Sequence, residues 1–196
     1  MEIGLELGYI IAALISAGVT FGSMWCKGKI KERKDKVFNY DPNLHSNVMT
    51  ALEYMRQETE ADRVYILEFH NGEHYFSGRS QQKFSCTYEV VSEGISREVQ
   101  DLQNIRISSM HYLIKDVVQG ETFMCKNVEE FCDDLSFKSF METRGVMSMF
   151  ARPIKTLNGK IIGIVVMDFV KDYRTWGKNA EEFLQKQSKI ISGYLA

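Results

Sequence analysis

Residues 145–170, GVMSMFARPIKTLNGKIIGIVVMDFV, constrain this chain more than any other stretch. Two apolar runs, Val146 to Lys155 and Lys160 to Val170, flank a turn that contains Asn158-Gly159. Asn-Gly tolerates the positive φ that a tight hairpin turn requires. The second run is apolar on both alternating faces: Ile161, Gly163, Val165 and Met167 on one, Ile162, Ile164 and Val166 on the other. A strand apolar on both faces belongs in the middle of a sheet that is covered on both sides. The stretch therefore predicts a hairpin whose second strand, Ile161–Phe169, lies at the centre of the sheet.

The remaining elements follow from local signals. Asp41-Pro42 opens a helix, with Asp as cap and proline at the first helical position. Leu44, Val48, Leu52 and Met55 give that helix an apolar face as far as about Glu60. Arg63 to His70 alternates and is rich in Val, Tyr, Ile and Phe, so it is a strand. HNGEHYFSGRS reads as a loop with turn pairs Asn71-Gly72 and Ser77-Gly78. Gln82 to Ser92 is a second strand, hairpin-paired with the first. A short helix is expected near Ser96–Asn104. Ser108 caps a further helix that runs to Gln119 and ends at Gly120. Glu121 to Asn127 reads as a short strand and Val128 to Arg144 as a broken helix closed by Gly145. Asn179 caps a last amphipathic helix carrying Phe183, Leu184, Ile190, Ile191 and Leu195. Antiparallel strands with helices gathered on the faces make an α+β domain.

The N-terminus carries a different signal. From Leu7 to Cys26 twenty residues pass without a charge, the length of helix that crosses a bilayer core of about 30 Å. KGKIKERKDK follows, with six basic residues against Glu32 and Asp35. The positive-inside rule then places Met1 outside and the remainder in the cytoplasm, at a cell inner membrane. The alternative is a helix packed within an assembly. Gly4, Gly8, Ala12 and Ser16 recur every four residues, a stripe through which helices associate in lipid. The expected organisation is a transmembrane helix over 1–26, a basic juxtamembrane segment over 27–40 and one domain over 41–196.

Composition narrows the function. A formal net charge of −2 leaves no broad basic surface for nucleic acid. Cys26, Cys86, Cys125 and Cys132 show no CxxC pair and no metal-like spacing, and read as reduced thiols. No Cys-His, GxSxG or phosphate-cradling glycine context is present, so no enzyme chemistry and no catalytic residue is expected. His70, Glu73 and His74 are metal-ligand types, but they straddle Asn71-Gly72 and are read as loop residues. No metal site is assigned.

Strand alternation gives the candidate site. Val64, Ile66, Glu68 and His70 share one face of the first strand; Ile162, Ile164, Val166 and Asp168 share one of the last. Ser148, Phe150 and Arg152 share a face of the strand between. Where those faces coincide, Glu68, His70, Arg152 and Asp168 form a polar cluster, with Ser85 and Thr87 lining the same pocket from the second strand. Buried charges require partners, so the cluster is an ion-pair network or a ligand pocket. Asp168 follows a nearly unbroken apolar run, and Arg152 is the cation expected beside it.

From Asp41 to Ala196 the chain resembles a GAF domain, the small-molecule-sensing module related to PAS domains. SMFARPIKTLNGKIIGIVVMDF matches that family's last hairpin: a small-apolar run ending in Pro, a polar-Gly turn, then Gly-apolar repeats. The bracketing helices 44–60 and 179–196 fit too, since in the family they pack together on one sheet face. Asn127, Phe131, Asp133 and Asp134 echo only part of the cyclic-nucleotide-binding signature, and no cysteine has the Cys-His context of bilin attachment. The cofactor is therefore unknown. A membrane helix ahead of such a domain, with EFHNG closing the first strand, is also similar to membrane-anchored GAF-like proteins of tailed bacteriophages. The resemblance implies a membrane-anchored, non-enzymatic sensor or protein-interaction module, homo-oligomeric through its anchor and two long helices, with a small-molecule or protein partner. The alternative is a phage structural, lysis or host-exclusion protein, located in the virion, that uses the fold for assembly.

Overall fold

The computed structural model describes residues 40–131, 134–175 and 177–195. The predicted span over 1–26, nearly all of the basic segment and the Gly4, Gly8, Ala12, Ser16 stripe lie outside the described residues. Among the described residues no helix is long and apolar enough to cross a membrane.

The elements run α1 (Pro42–Thr59), β1 (Arg63–His74), β2 (Ser80–Val91), β3 (Ile105–Arg106), a 3-10 turn (Ile107–Met110), α2 (His111–Gln119), β4 (Phe123–Cys125), α3 (Leu135–Thr143), β5 (Ser148–Lys155), β6 (Ile161–Phe169) and α4 (Lys178–Leu195). The strands form one sheet in the order β3-β2-β1-β6-β5-β4, antiparallel at every pairing. The doubly apolar β6 is central, beside β1, and both its faces are covered as its composition requires. On one face α1 and α4 lie side by side, placing Val48, Leu52, Met55, Leu184 and Ile191 on Val64, Ile66, Phe150, Val165 and Met167. On the other, α2, α3 and their connections place Met110, Leu113, Val117, Phe137 and Met141 on Tyr65, Leu67, Ala151, Ile164 and Val166. Tyr112, Phe123, Phe131 and Phe137 meet edge to face in this second layer, a geometry that adds to simple burial.

Several local expectations are corrected. Asn71-Gly72 is not a turn: β1 continues through it to His74, and the chain reverses around Gly78, at φ +78°. Gly72 is needed for space instead, since a Cβ there would lie 2.6 Å from the Gln81 carbonyl oxygen on the paired strand. No helix forms at 96–104. The backbone makes one turn, with Asp101 and Leu102 N–H groups on the Glu98 carbonyl, and then adds the short strand β3. Ser108 falls inside the 3-10 turn rather than capping α2, whereas Gly120 does end that helix, left-handed at φ +85°. The Asn158-Gly159 hairpin forms as expected, with Gly159 at φ +81°.

Candidate functional site

The six residues singled out by alternation do not converge. Along β1 and β6 the register pairs Arg63 with Asp168 and Glu68 with Gly163. Asp168 therefore lies five residues from Glu68's level, about 17 Å along the strand. It also faces α2 and α3 with Tyr65, while Arg152, paired with Val165, faces α1 and α4. Arg152 binds Thr122 Oγ1 at 2.6 Å and Glu181 at 3.5 Å, not Asp168. Thr87 is exposed. Ile66 opposes Tyr88 and Leu67 opposes Cys86, so Thr87 is the extra residue of a β-bulge. The bulge reverses which face each β2 residue takes: Phe84 and Cys86 enter one core, Tyr88 and Val90 the other. Sequence parity cannot carry across it.

Glu68, His70 and Ser85 do come together. Glu68 and Ser85 are cross-strand partners, and His70 Nε2 lies 2.9 Å from Ser85 Oγ, which also accepts the Asn104 N–H at 2.9 Å. They lie beside the end of the β1–β6 pairing. It stops at Glu68–Gly163, and β1 goes on with β2 alone. At Gly163 a Cβ would stand 2.5 Å from the Leu67 carbonyl oxygen, so the strands touch there before they part. Beyond that point a cleft of about 550 Å³ opens, with Glu68, His70, Asn71, Gln82 and Lys160 among its polar walls. Phe69, Ile107, Ile114, Val118, Ile161, Ile162 and Leu195 make the rest apolar. Apolar walls interleaved with polar side chains suit a small amphipathic molecule. Alternation along single strands missed Lys160, Ile114 and Leu195, which reach the cleft from the hairpin turn, α2 and α4.

Asp168 has a different neighbourhood. It is 0% exposed, with Arg144 Nη2 at 3.4 Å, Arg63 Nη1 at 3.7 Å and the Tyr65 hydroxyl donating at 3.3 Å. Glu98 completes the group, 3.3 Å from each arginine. Two guanidiniums and two carboxylates balance, as burial demands. Arg63 also donates to the Ser96 and Arg144 carbonyl oxygens, and the Arg144 guanidinium sits 4.7 Å from the Phe140 ring centre. Burial pushes the Asp168 carboxyl above its ordinary range against the opposing pull of Arg144, Arg63 and Tyr65. It also pushes the Cys86 thiol up to about 12 and Cys125 up to about 11. Among the described residues no group of three or more His, Cys, Asp or Glu side chains is placed to hold a metal.

An antiparallel sheet with long helices on one face and short helices over the other defines an α+β module. The GAF domain family model matches residues 43–193, and the chain belongs to that family. A search of curated protein sequences finds no match. Solved structures share the fold at low identity. The blue-light absorbing form of the Thermosynechococcus elongatus PixJ GAF domain is 14% identical, with a TM-score of 0.64 over 78% of this chain and 84% of that one. The far-red absorbing dark state of JSC1_58120g3, with bound biliverdin IXa, is 15% identical, TM-score 0.61, over 78% and 89%. The GAF region of a putative membrane protein from Geobacter sulfurreducens is 12% identical, TM-score 0.59, over 78% and 93%.

Proposed function

We propose that this GAF protein is a membrane-anchored, non-enzymatic sensor that takes a small amphipathic molecule into the cleft between β1 and β6. Glu68 and His70 are its polar contacts. The observation that carries the reading is the parting of the two central strands at Gly163, which opens about 550 Å³ beside Glu68 and beside His70, whose ring lies 2.9 Å from Ser85 Oγ. The uncharged run 7–26 supplies the anchor, and the basic residues after it orient the domain to the cytoplasm. Tyr54, Ile190 and Tyr194 are exposed on α1 and α4 and support pairing of two copies through these helices. Arg152 and Asp168 act in ion pairs within the fold, and Thr87 acts in the bulge.

Native mass spectrometry of the detergent-extracted full chain tests the site. A bound small molecule should be present in the wild type and absent from Glu68→Gln and His70→Ala, whose melting temperatures without ligand stay within a few degrees of wild type. Retention of the molecule by both variants would place its site elsewhere. For orientation, an impermeant thiol reagent applied to intact cells should leave cysteines introduced beyond Lys36 unlabelled; labelling there refutes the topology.

A further inference from the structure

We infer that the end of the domain bearing the two hairpin turns, residues 75–79 and 156–160, rests on an anionic lipid surface. The topology brings these turns together. β1 and β6 are adjacent and antiparallel, so the turn that follows β1 and the turn that precedes β6 lie at the same end of the sheet. The helices report the same end. Tyr54 packs near Phe183, while Asn47 and Tyr194 line one shared groove, so α1 and α4 run antiparallel. The start of α1 therefore lies beside the end of α4, whose Leu195 meets His70 and Lys160 at the cleft. Pro42, the first residue of α1, is therefore at this end.

Each turn presents one apolar side chain wholly to solvent: Phe76 at 111% and Leu157 at 108% relative exposure. Neither does anything for its own turn. The first is held by Tyr75 and Gly78 backbone bonds and by the Arg79 guanidinium 5.9 Å from the Tyr75 ring centre. The second is held by Thr156, Asn158 and Gly159. A single exposed apolar residue needs no explanation. Two at the tips of neighbouring hairpins, at the end where α1 begins, call for an apolar partner. The cations nearest the two tips suit anionic headgroups: Arg79 and Lys83 flank the first turn and Lys155 and Lys160 the second. The acids at this end lie back from the tips: Glu73 and Glu68 on β1, Asp41 ahead of α1 and Glu121 after Gly120 beside Lys155. The thirteen residues 27–39 reach at most about 45 Å when fully extended, so an anchor ending at Cys26 keeps this end within reach of the bilayer.

This inference rests on the reading of residues 7–26 as an anchor, and one set of samples separates the two. The full chain, carrying Trp25→Phe and Trp176→Phe, receives a single tryptophan by Phe76→Trp, Leu157→Trp or Glu93→Trp. Glu93 follows β2 at the opposite end of the sheet. Each protein is reconstituted into phosphatidylcholine vesicles with or without phosphatidylglycerol, using brominated acyl chains. In the anionic vesicles, fluorescence at 76 and 157 should fall at least twofold and shift to the blue, with position 93 unchanged; in the neutral vesicles the loss should be much smaller. Quenching at 76 and 157 no greater than at 93, in protein that resists carbonate extraction, overturns the docked end and leaves the anchor standing. Equal quenching in neutral and anionic vesicles overturns the role of the four cations. Release of the protein by carbonate overturns the anchor and this inference with it.

Discussion

Replacing Asp168 by Asn tests the buried charge group directly. Asp168 is completely buried and lies within 4 Å of both Arg63 and Arg144. Asn keeps the shape and one acceptor but removes the charge. Two guanidiniums are then left to share Glu98, with one buried positive charge uncompensated. Breaking a buried pair in this way costs on the order of 3–5 kcal/mol. For a domain of this size each kcal/mol lowers the melting temperature by about 2–4 °C, so the drop should be about 6–20 °C. Arg144 is the arginine to remove in compensation, because its Nη1 has no hydrogen-bond partner among the described residues, whereas Arg63 is fixed by the Ser96 and Arg144 carbonyl oxygens. Asp168→Asn with Arg144→Met restores charge balance between Arg63 and Glu98. The double variant should regain at least half of the loss, so the two single effects are far from additive. Calorimetric melts of the full chain and the three variants give the cycle. A melting temperature for Asp168→Asn within 2 °C of wild type, or strictly additive single effects, refutes the reasoning.

Three further outcomes follow from the structure. Gly163→Val forces a side chain against the Leu67 carbonyl oxygen; the clash should destabilise the domain by about 1–3 kcal/mol and deform the cleft, read as a lower denaturant midpoint. Burial pushes Asp62 up, but N–H bonds from Val170 and Lys171, the Ser92 hydroxyl and the Lys171 ammonium together hold it below its ordinary range. A depressed carboxyl contributes stability above the unfolded value of about 3.9 that is lost as pH falls through the folded value, so the wild type should lose stability below about pH 4 and Asp62→Asn should lose less over that interval. With thiols pushed up to about 12 and about 11 by burial, Cys86 and Cys125 should resist iodoacetamide at pH 8 until denaturant is added, as peptide mass spectrometry of the alkylated protein will show.

The central hairpin was legible because its signals are local. Asn158-Gly159 names the turn, and the doubly apolar run from Ile161 names a strand covered on both sides. The pairing of the first and last long helices was legible through the family pattern. The site was legible only in part. Asp168 was correctly read as a buried carboxylate in need of a cation, yet its partners are Arg63, directly across on β1, and Arg144, at the end of α3. Which arginine meets it depends on register, and register is a property of two strands. Thr87 misled for a related reason: a one-residue bulge swaps faces along β2 and leaves no mark in composition. Glu68 and His70 were singled out, but the cleft they line was not. It arises where β1 outruns β6, and Asn71-Gly72, read as a turn, concealed that extension.

The most direct test of the account is to locate a ligand by protein-observed NMR. Small molecules extracted from purified wild-type protein are returned to an isotope-labelled, ligand-stripped sample. The account expects shifts concentrated on Glu68, His70, Asn71, Ile114, Lys160 and Leu195, and lost in His70→Ala. Shifts centred on the groove of Arg152, Lys155 and Ser192, or on Asp168 and Arg144, would contradict it.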